Sequence, residues 1–122
     1  MSHIAHKNFA KPDEVRNIPY GKIELVNVGG MTVGKVTLQP GWRWSTSVKP
    51  IAKTESCQAL HYSYQISGTL RTRMDDGNEM EFKAGDIAVI PPGHDSWVVG
   101  DEPVVVIDFQ GMAQFALPPH QH

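Results

Sequence analysis

The chain has 122 residues, enough for one domain with its own hydrophobic core and too few for two ordinary ones. Its composition, 40% hydrophobic and 20% charged with a formal net charge of -2, is typical of a soluble globular protein. Because it carries no general attraction for phosphate backbones, we expect no nucleic-acid partner. No window approaches the roughly 20 consecutive apolar residues of a membrane span, and the start lacks a signal peptide. We therefore expect no membrane association and a cytoplasmic location.

The chain is expected to divide into three parts. The first residues are polar, are interrupted by Pro12 and Pro19, and show neither a helical nor a strand period. They predict an N-terminal arm over 1–20 that docks on the body or on a neighbouring subunit. The body, one domain, is expected over 21–111, and 112–122 is expected to form a C-terminal tail. The single cysteine, Cys57, excludes an internal disulfide and suits a reducing compartment.

The body is dominated by short β-type runs separated by glycine and proline. Nine runs of four to eight residues with closely spaced turn signals favour an all-β sandwich or barrel over any helical fold. In chain order the runs are KIELVNV, MTVGKVTL, GWRWSTSV, LHYSYQI, TLRTRM, EMEF, DIAVI, SWVV and VVVIDF.

The clearest local signal is TLRTRMDDGNEMEF, where Asp76-Gly77 separates two alternating segments. Asp-Gly predicts a tight hairpin because both residues tolerate the positive φ that such turns demand. The polar side chains on the two segments are expected to face water and pair across the strands. These side chains are Arg71, Arg73, Glu79 and Glu81.

The run GDIAVIPPG gives the sequence its family likeness. Gly85, Pro91 and Gly93 match the second motif of the cupin superfamily, G-x5-P-x-G-x2-H-x3-N, and its first motif can be laid on Gly41 to Gly68. The chain resembles small single-domain bacterial cupins whose second motif reads PPGHD, and the likeness covers roughly 38–109. It implies a double-stranded β-helix, the cupin jelly-roll barrel, often assembled as a homodimer. The prolines fit this fold because neither can donate to a strand ladder, so they end the strand.

The sequence departs from the cupin motifs at the metal ligands that the family uses. Ser47 and Lys49 stand where the first motif has its two histidines, and His61 stands where it has glutamate. Ser96 replaces the histidine of the second motif. A standard centre of three histidines and one glutamate therefore cannot form.

A different set of ligands can still converge. A period of two puts His61, Ser63 and Gln65 on one strand face, and His94 and Ser96 on one face of another. Cys57, His61 and His94 would suit a divalent metal ion such as zinc, iron, manganese or nickel, with an open position for chemistry. The predicted ligand-binding pocket consists of Ser47, Lys49, His61, Ser63, Gln65, His94 and Ser96. The alternatives are a buried hydrophobic role for Cys57, turn chemistry for His94 and a solvated Lys49.

Three functions stay open at this point. The first is a cupin that binds a small organic molecule in its barrel, as a metal-dependent enzyme of oxygenase, isomerase or lyase type. The second is a metal-free, non-catalytic ligand-binding or sensing module, in which Lys49 would favour an anionic ligand. The third is a structural protein whose tryptophans and arm serve only dimerisation. The fold alone does not decide among them.

Overall fold

The computed structural model describes residues 3–113 and 115–117 of the chain. Strands dominate this part, with two short helices between the third and fourth strands. The elements are β1 (Glu14–Ile18), β2 (Gly21–Val28), β3 (Met31–Leu38), α1 (Trp44–Ser47), α2 (Lys49–Ala52), β4 (His61–Ser67), β5 (Thr69–Met74), β6 (Glu79–Phe82), β7 (Ile87–Ile90), β8 (His94–Val99) and β9 (Val104–Asp108). In the described part of the chain, no helix is long and apolar enough to cross a membrane.

The strands form two antiparallel sheets that confirm the predicted all-β jelly roll. One sheet has the strand order β1-β2-β3-β9-β4-β7 and the other has the order β6-β5-β8. The core lies between them because alternate residues of each strand point inward. Ile23 of β2 and Val104 of β9 have no exposed surface. The chain passes from one sheet to the other between β7 and β8, at Pro91-Pro92-Gly93.

The predicted hairpin is confirmed as β5 and β6. Arg71 lies opposite Glu81 and Arg73 opposite Glu79, and Gly77 in the turn has a φ of 95°. The Nε atom of Arg71 is 2.6 Å from a carboxylate oxygen of Glu79, so the expected cross-strand pairing is present.

The structure adds a strand where the sequence shows no period. β1, inside the predicted arm, pairs antiparallel with β2 from Glu14 opposite Leu25 to Ile18 opposite Gly21. Within β1, Ile18 is its single buried residue. An edge strand with one buried position lacks the alternation that a sequence pattern needs, so the sequence shows no strand period in this segment.

The run GWRWSTSV is not a strand, which corrects the prediction. After Arg43 the chain forms α1 and then α2, although Trp42 and Trp44 are both buried as the alternation suggested. The backbone N–H of Ser45, at the start of α1, donates to Oδ1 of Asp95 at 3.0 Å. Asp95, which accepts this hydrogen bond, is 50 positions from Ser45 in the chain, so no local sequence pattern could indicate the contact.

The segment that follows β9 packs on the barrel as far as it is described. Met112 and Phe115 are buried and belong to the core cluster. The guanidinium of Arg16 donates to the carbonyl oxygens of Met112 (2.9 Å), Ala113 (2.9 Å) and Phe115 (2.6 Å). The last part of the predicted tail, 118–122, lies outside the described residues.

Candidate metal centre

His61 and Asp108 form a buried pair on neighbouring strands. His61 is the first residue of β4 and Asp108 is the last residue of β9, and both face the interior. The Nδ1 atom of His61 lies 2.5 Å from Oδ2 of Asp108. An N–H on Nδ1 donates to this carboxylate, which directs Nε2 at the cavity, where it would offer a lone pair to a metal ion on losing its proton.

His94 is oriented in the same way from the other sheet. It opens β8 directly after the turn at Gly93, which has a φ of 94° that favours glycine. Nδ1 of His94 lies 2.6 Å from the carbonyl oxygen of Pro91, so this nitrogen carries the proton and Nε2 is left free. His94 is buried, with 2% of its surface exposed. His94 therefore combines the two roles that the sequence left open: it belongs to the turn at Gly93, and it lines the cavity.

Cys57 reaches the cluster through a backbone bridge to His94. The Cys57 N–H donates to the His94 carbonyl at 2.7 Å, and the Gly93 N–H donates to the Cys57 carbonyl at 2.7 Å. This bridge, rather than an early start of β4, places Sγ 3.8 Å from Nε2 of His61.

Cys57, His61 and His94 together resemble a metal-binding set. Their ligand atoms all lie within 4.8 Å of one another, and all three residues are buried. Ligands about 2.0–2.3 Å from a tetrahedral ion are separated by roughly 3.3–3.8 Å, so a small contraction brings this set to bonding geometry. Three ligands from the protein would leave a fourth position open.

The contacts within the cluster shift two pKa values in opposite directions. Burial raises the pKa of the Cys57 thiol, but hydrogen bonding and charge from His61 and His94 outweigh burial. The net effect lowers this pKa from 9.0 to about 6. Burial lowers the pKa of His61, but the hydrogen bonds to Asp108 and Cys57 outweigh it and raise the pKa to about 9. The metal-free site therefore favours a thiolate beside an imidazolium, and a thiolate is the form of cysteine that ligates metals.

The cluster lines a cavity of about 60 Å³ between the sheets. The cavity wall is apolar except at the ligand cluster and at Ser63, Ser96 and Asp108. The hydroxyl of Ser96 shares a hydrogen bond with that of Thr72 at 2.8 Å. The apolar wall is formed by Val36, Leu38, Trp42, Trp44, Leu70, Ile90, Val106, Met112 and Phe115.

The remaining predicted pocket residues lie away from this cavity. The Gln65 amide donates to the carbonyl oxygens of Gly68 and Phe82, both at 2.8 Å. Ser47 lies in α1 and Lys49 in α2, because the segment predicted as a strand is helical. The Nζ atom of Lys49 contacts the Glu55 carboxylate at 3.2 Å. The expected positive charge therefore stays outside the cavity.

The site contains residues next to the cluster that were not predicted from the sequence, among them Asp108, Met112 and Phe115. Asp108 could have been found, because Val104, Val106 and Asp108 alternate on the buried face of β9. An aspartate on such a face needs a partner. Met112 and Phe115 carried no comparable signal, since they lie in an irregular segment.

The C-terminal segment covers one side of the cluster. The ring of Phe115 packs edge-on against His61 with centroids 5.6 Å apart. Gly111, with a φ of 95°, starts this segment, and a Cβ there would collide with the carbonyl oxygen of Leu60. Glycine therefore lets the chain pass close to His61.

Comparison with known proteins finds solved structures with a similar fold. No family profile and no curated protein matches the sequence. A protein of unknown function from Rhizobium leguminosarum gives a TM-score of 0.64 at 18% identity over 89% of this chain and 97% of its own. A DUF1255 protein of unknown function from Acidithiobacillus ferrooxidans gives 0.57 at 20% identity, over 79% and 85%. A variant of Bacillus subtilis oxalate decarboxylase gives 0.57 at 20% identity over 84% of this chain.

These likenesses confirm the fold inferred from the sequence: the chain has the fold of the cupin superfamily, to which oxalate decarboxylase belongs. The chain spans only 29% of the oxalate decarboxylase, and identities at or below 20% establish the fold alone. The protein is thus a barrel with the cupin fold. It lacks the histidines of the cupin motifs and has a buried cluster of Cys57, His61 and His94.

Proposed function

We propose that this protein binds one divalent transition-metal ion through Cys57, His61 and His94, and a small molecule in the cavity beside it. The observation that carries the proposal is the orientation of both imidazoles. Asp108 and the Pro91 carbonyl occupy the Nδ1 atoms, so both Nε2 atoms are left for a ligand. Partners of this kind fix the tautomer of metal-bound histidines.

Zinc fits the ligand set best among the metals considered. Thiolate and imidazole are its preferred ligands, and three protein ligands with an open position are typical of catalytic zinc sites. Manganese prefers oxygen ligands, and iron and nickel accept imidazole, but a thiolate together with imidazoles favours zinc over these three. A pair of histidines with one cysteine also serves copper electron-transfer sites, so metal analysis must include copper.

The open position gives the site its chemistry. A metal-bound water or substrate oxygen there would face the cavity, where the ion acts as a Lewis acid. With zinc, which has no redox chemistry, isomerase or lyase reactions fit and an oxygenase reaction does not. The alternative is a metal-free binding module, in which the thiolate and imidazolium of Cys57 and His61 stay paired.

Metal analysis of the purified full chain separates these functions. We expect close to one bound ion per chain, lost in His61→Ala and retained in the control His6→Ala, whose histidine is exposed near the N-terminus. Chelator treatment should lower the melting temperature of the native protein, because the ion stabilises only the folded state. A metal-free protein with unchanged melting after chelation would favour the metal-free module.

We also propose that the protein is a homodimer that buries the outer face of β4 and β7. On this face Tyr62 lies opposite Val89 and Tyr64 opposite Ile87. All four side chains are exposed, Ile87 to 81%. Contiguous exposed apolar side chains mark interaction surfaces. A second copy of the chain is the occupant that the cupin likeness implies, and the two identical faces match each other in apolar character.

A further inference from the structure

The cavity combines three features that define what it can bind. It is small, its wall is apolar, and among the described residues that line it there is no lysine or arginine. Lys49, which the sequence placed in the pocket, pairs with Glu55 outside it, and Arg43 pairs with Asp95, each at 3.2 Å. A carboxylate or phosphate entering the cavity would therefore meet no cationic side chain.

A bound metal ion would not supply the missing positive charge. A divalent ion bound here would be balanced by the thiolate of Cys57 and by the carboxylate of Asp108, which lies against His61. The loaded centre is then electrically neutral, and an anionic ligand would leave a net negative charge in a low-dielectric cavity. Ligands without charge avoid that cost.

Trp42 supplies a further constraint. It lines the cavity, is 3% exposed, and its indole Nε1 is buried with no hydrogen-bond partner among the described residues. A buried N–H without a partner costs free energy that a ligand acceptor would recover.

We infer that the cavity takes a small uncharged molecule with an apolar body, a donor atom for the metal and an acceptor for the Trp42 N–H. Carbonyl compounds such as ketones, esters and amides fit this description. The inference rests on the proposed metal function and replaces the expectation of an anionic ligand, which depended on Lys49 lining the pocket.

The test compares two probes of the same size on the cobalt-loaded full chain. Butanamide and butanoate differ in charge, and binding near the ion changes the visible absorption of cobalt. We expect butanamide to change the spectrum at concentrations at least about tenfold lower than butanoate, since a buried unpaired charge is costly. In Trp42→Phe, which keeps the aromatic volume, butanamide should bind about fivefold more weakly while cobalt binding is unchanged.

Each outcome separates the inference from the proposed function. Cobalt binding with butanoate equal to or tighter than butanamide, or with neither probe bound, overturns the inference and leaves the metal site standing. Unchanged butanamide binding in Trp42→Phe removes the role of the indole. Failure of cobalt to bind overturns the proposed function and the inference with it.

Discussion

The Nδ1 atom of His61 and the carboxylate of Asp108 lie 2.5 Å apart although the residues are 47 positions apart in the chain. The strand order places β9 beside β4 and makes this contact possible. It connects the fold to the proposed function, because the same hydrogen bond that satisfies a buried carboxylate also directs Nε2 at the metal position.

Asp108→Asn tests that connection. The amide keeps the size of the side chain and removes its charge, so the imidazole loses its anionic partner. We expect zinc affinity to fall about 10- to 100-fold, as measured by competition with a chromogenic chelator. Asp101→Asn, in the exposed turn before β9, is the matched control and should leave the affinity unchanged. Equal affinities for both variants would show that the contact serves packing alone.

The pH dependence of stability in the metal-free protein has two opposing parts. The pKa of His61 is raised to about 9, so its stabilisation is complete below its unfolded value of 6.5 and is lost as pH rises through 9. The pKa of Cys57 is lowered from 9.0 to about 6, so its stabilisation is complete above 9.0 and is lost as pH falls through 6. Over pH 6.5–9 the two contributions offset each other, and we expect nearly constant stability.

Removing the thiol should reveal the His61 part alone. In Cys57→Ala with chelator present, we expect the free energy of unfolding to fall by on the order of 2 kcal/mol as pH rises from 6.5 to 9. Urea unfolding across this range measures it. In the double variant Cys57→Ala with His61→Gln, the free energy of unfolding should no longer fall over this pH range. A Cys57→Ala profile as flat as that of the native protein would show that Asp108 alone does not raise the pKa of His61.

Arg16 is expected to keep the cluster covered. Its guanidinium holds the carbonyl oxygens of Met112, Ala113 and Phe115, and its side chain is only 9% exposed. Arg16→Ala should cost about 2 kcal/mol of stability, since hydrogen bonds from a charged donor are lost. It should also speed the reaction of Cys57 with a small thiol reagent in the metal-free protein.

The matched control for Arg16 is Arg73→Ala. The Arg73 side chain is 60% exposed and its Nε atom lies 4.0 Å from Glu79, so it should change neither quantity. If Arg16→Ala reacted with the reagent at the rate of the control, the C-terminal segment would not shield the thiol.

The proposed dimer makes a prediction for Ile87. Placing a charge at this position on β7 would put it, unpaired, inside the apolar interface, so Ile87→Glu should convert the dimer to a monomer. Light scattering on a sizing column measures the change. Val15→Glu, 42% exposed on β1 at the opposite edge of the same sheet, is the control and should stay dimeric. A native protein that is monomeric at micromolar concentration would contradict the dimer.

Much of the fold could be predicted because its signals are local. The hairpin at Gly77 and the strand end at Pro91 follow from backbone chemistry that a short window contains. The segment after Arg43 could not be predicted, since Asp95, which accepts a hydrogen bond from the Ser45 N–H in α1, lies on β8. β1 escaped for a different reason: with Ile18 as its one buried residue, an edge strand has no alternation.

The candidate site could be predicted only in part. His61 follows from its position in the cupin motif and His94 from its strand parity with Ser96, whereas the position of Cys57 depends on a bridge to His94 rather than on parity. Lys49 occupies a ligand position of the motif, but it lies in α2 and contacts Glu55 instead. The contact of Phe115 with His61 joins two distant segments. It depends on how a segment without regular secondary structure packs, and such packing leaves no periodic pattern in the sequence.

The most direct test of the metal centre is X-ray absorption of the zinc-loaded protein. We expect one sulfur ligand at about 2.3 Å and two or three nitrogen or oxygen ligands at about 2.0–2.1 Å. In Cys57→Ser the sulfur contribution should vanish. A zinc environment made only of nitrogen and oxygen in the native protein, or one unchanged by Cys57→Ser, would contradict binding by Cys57, His61 and His94.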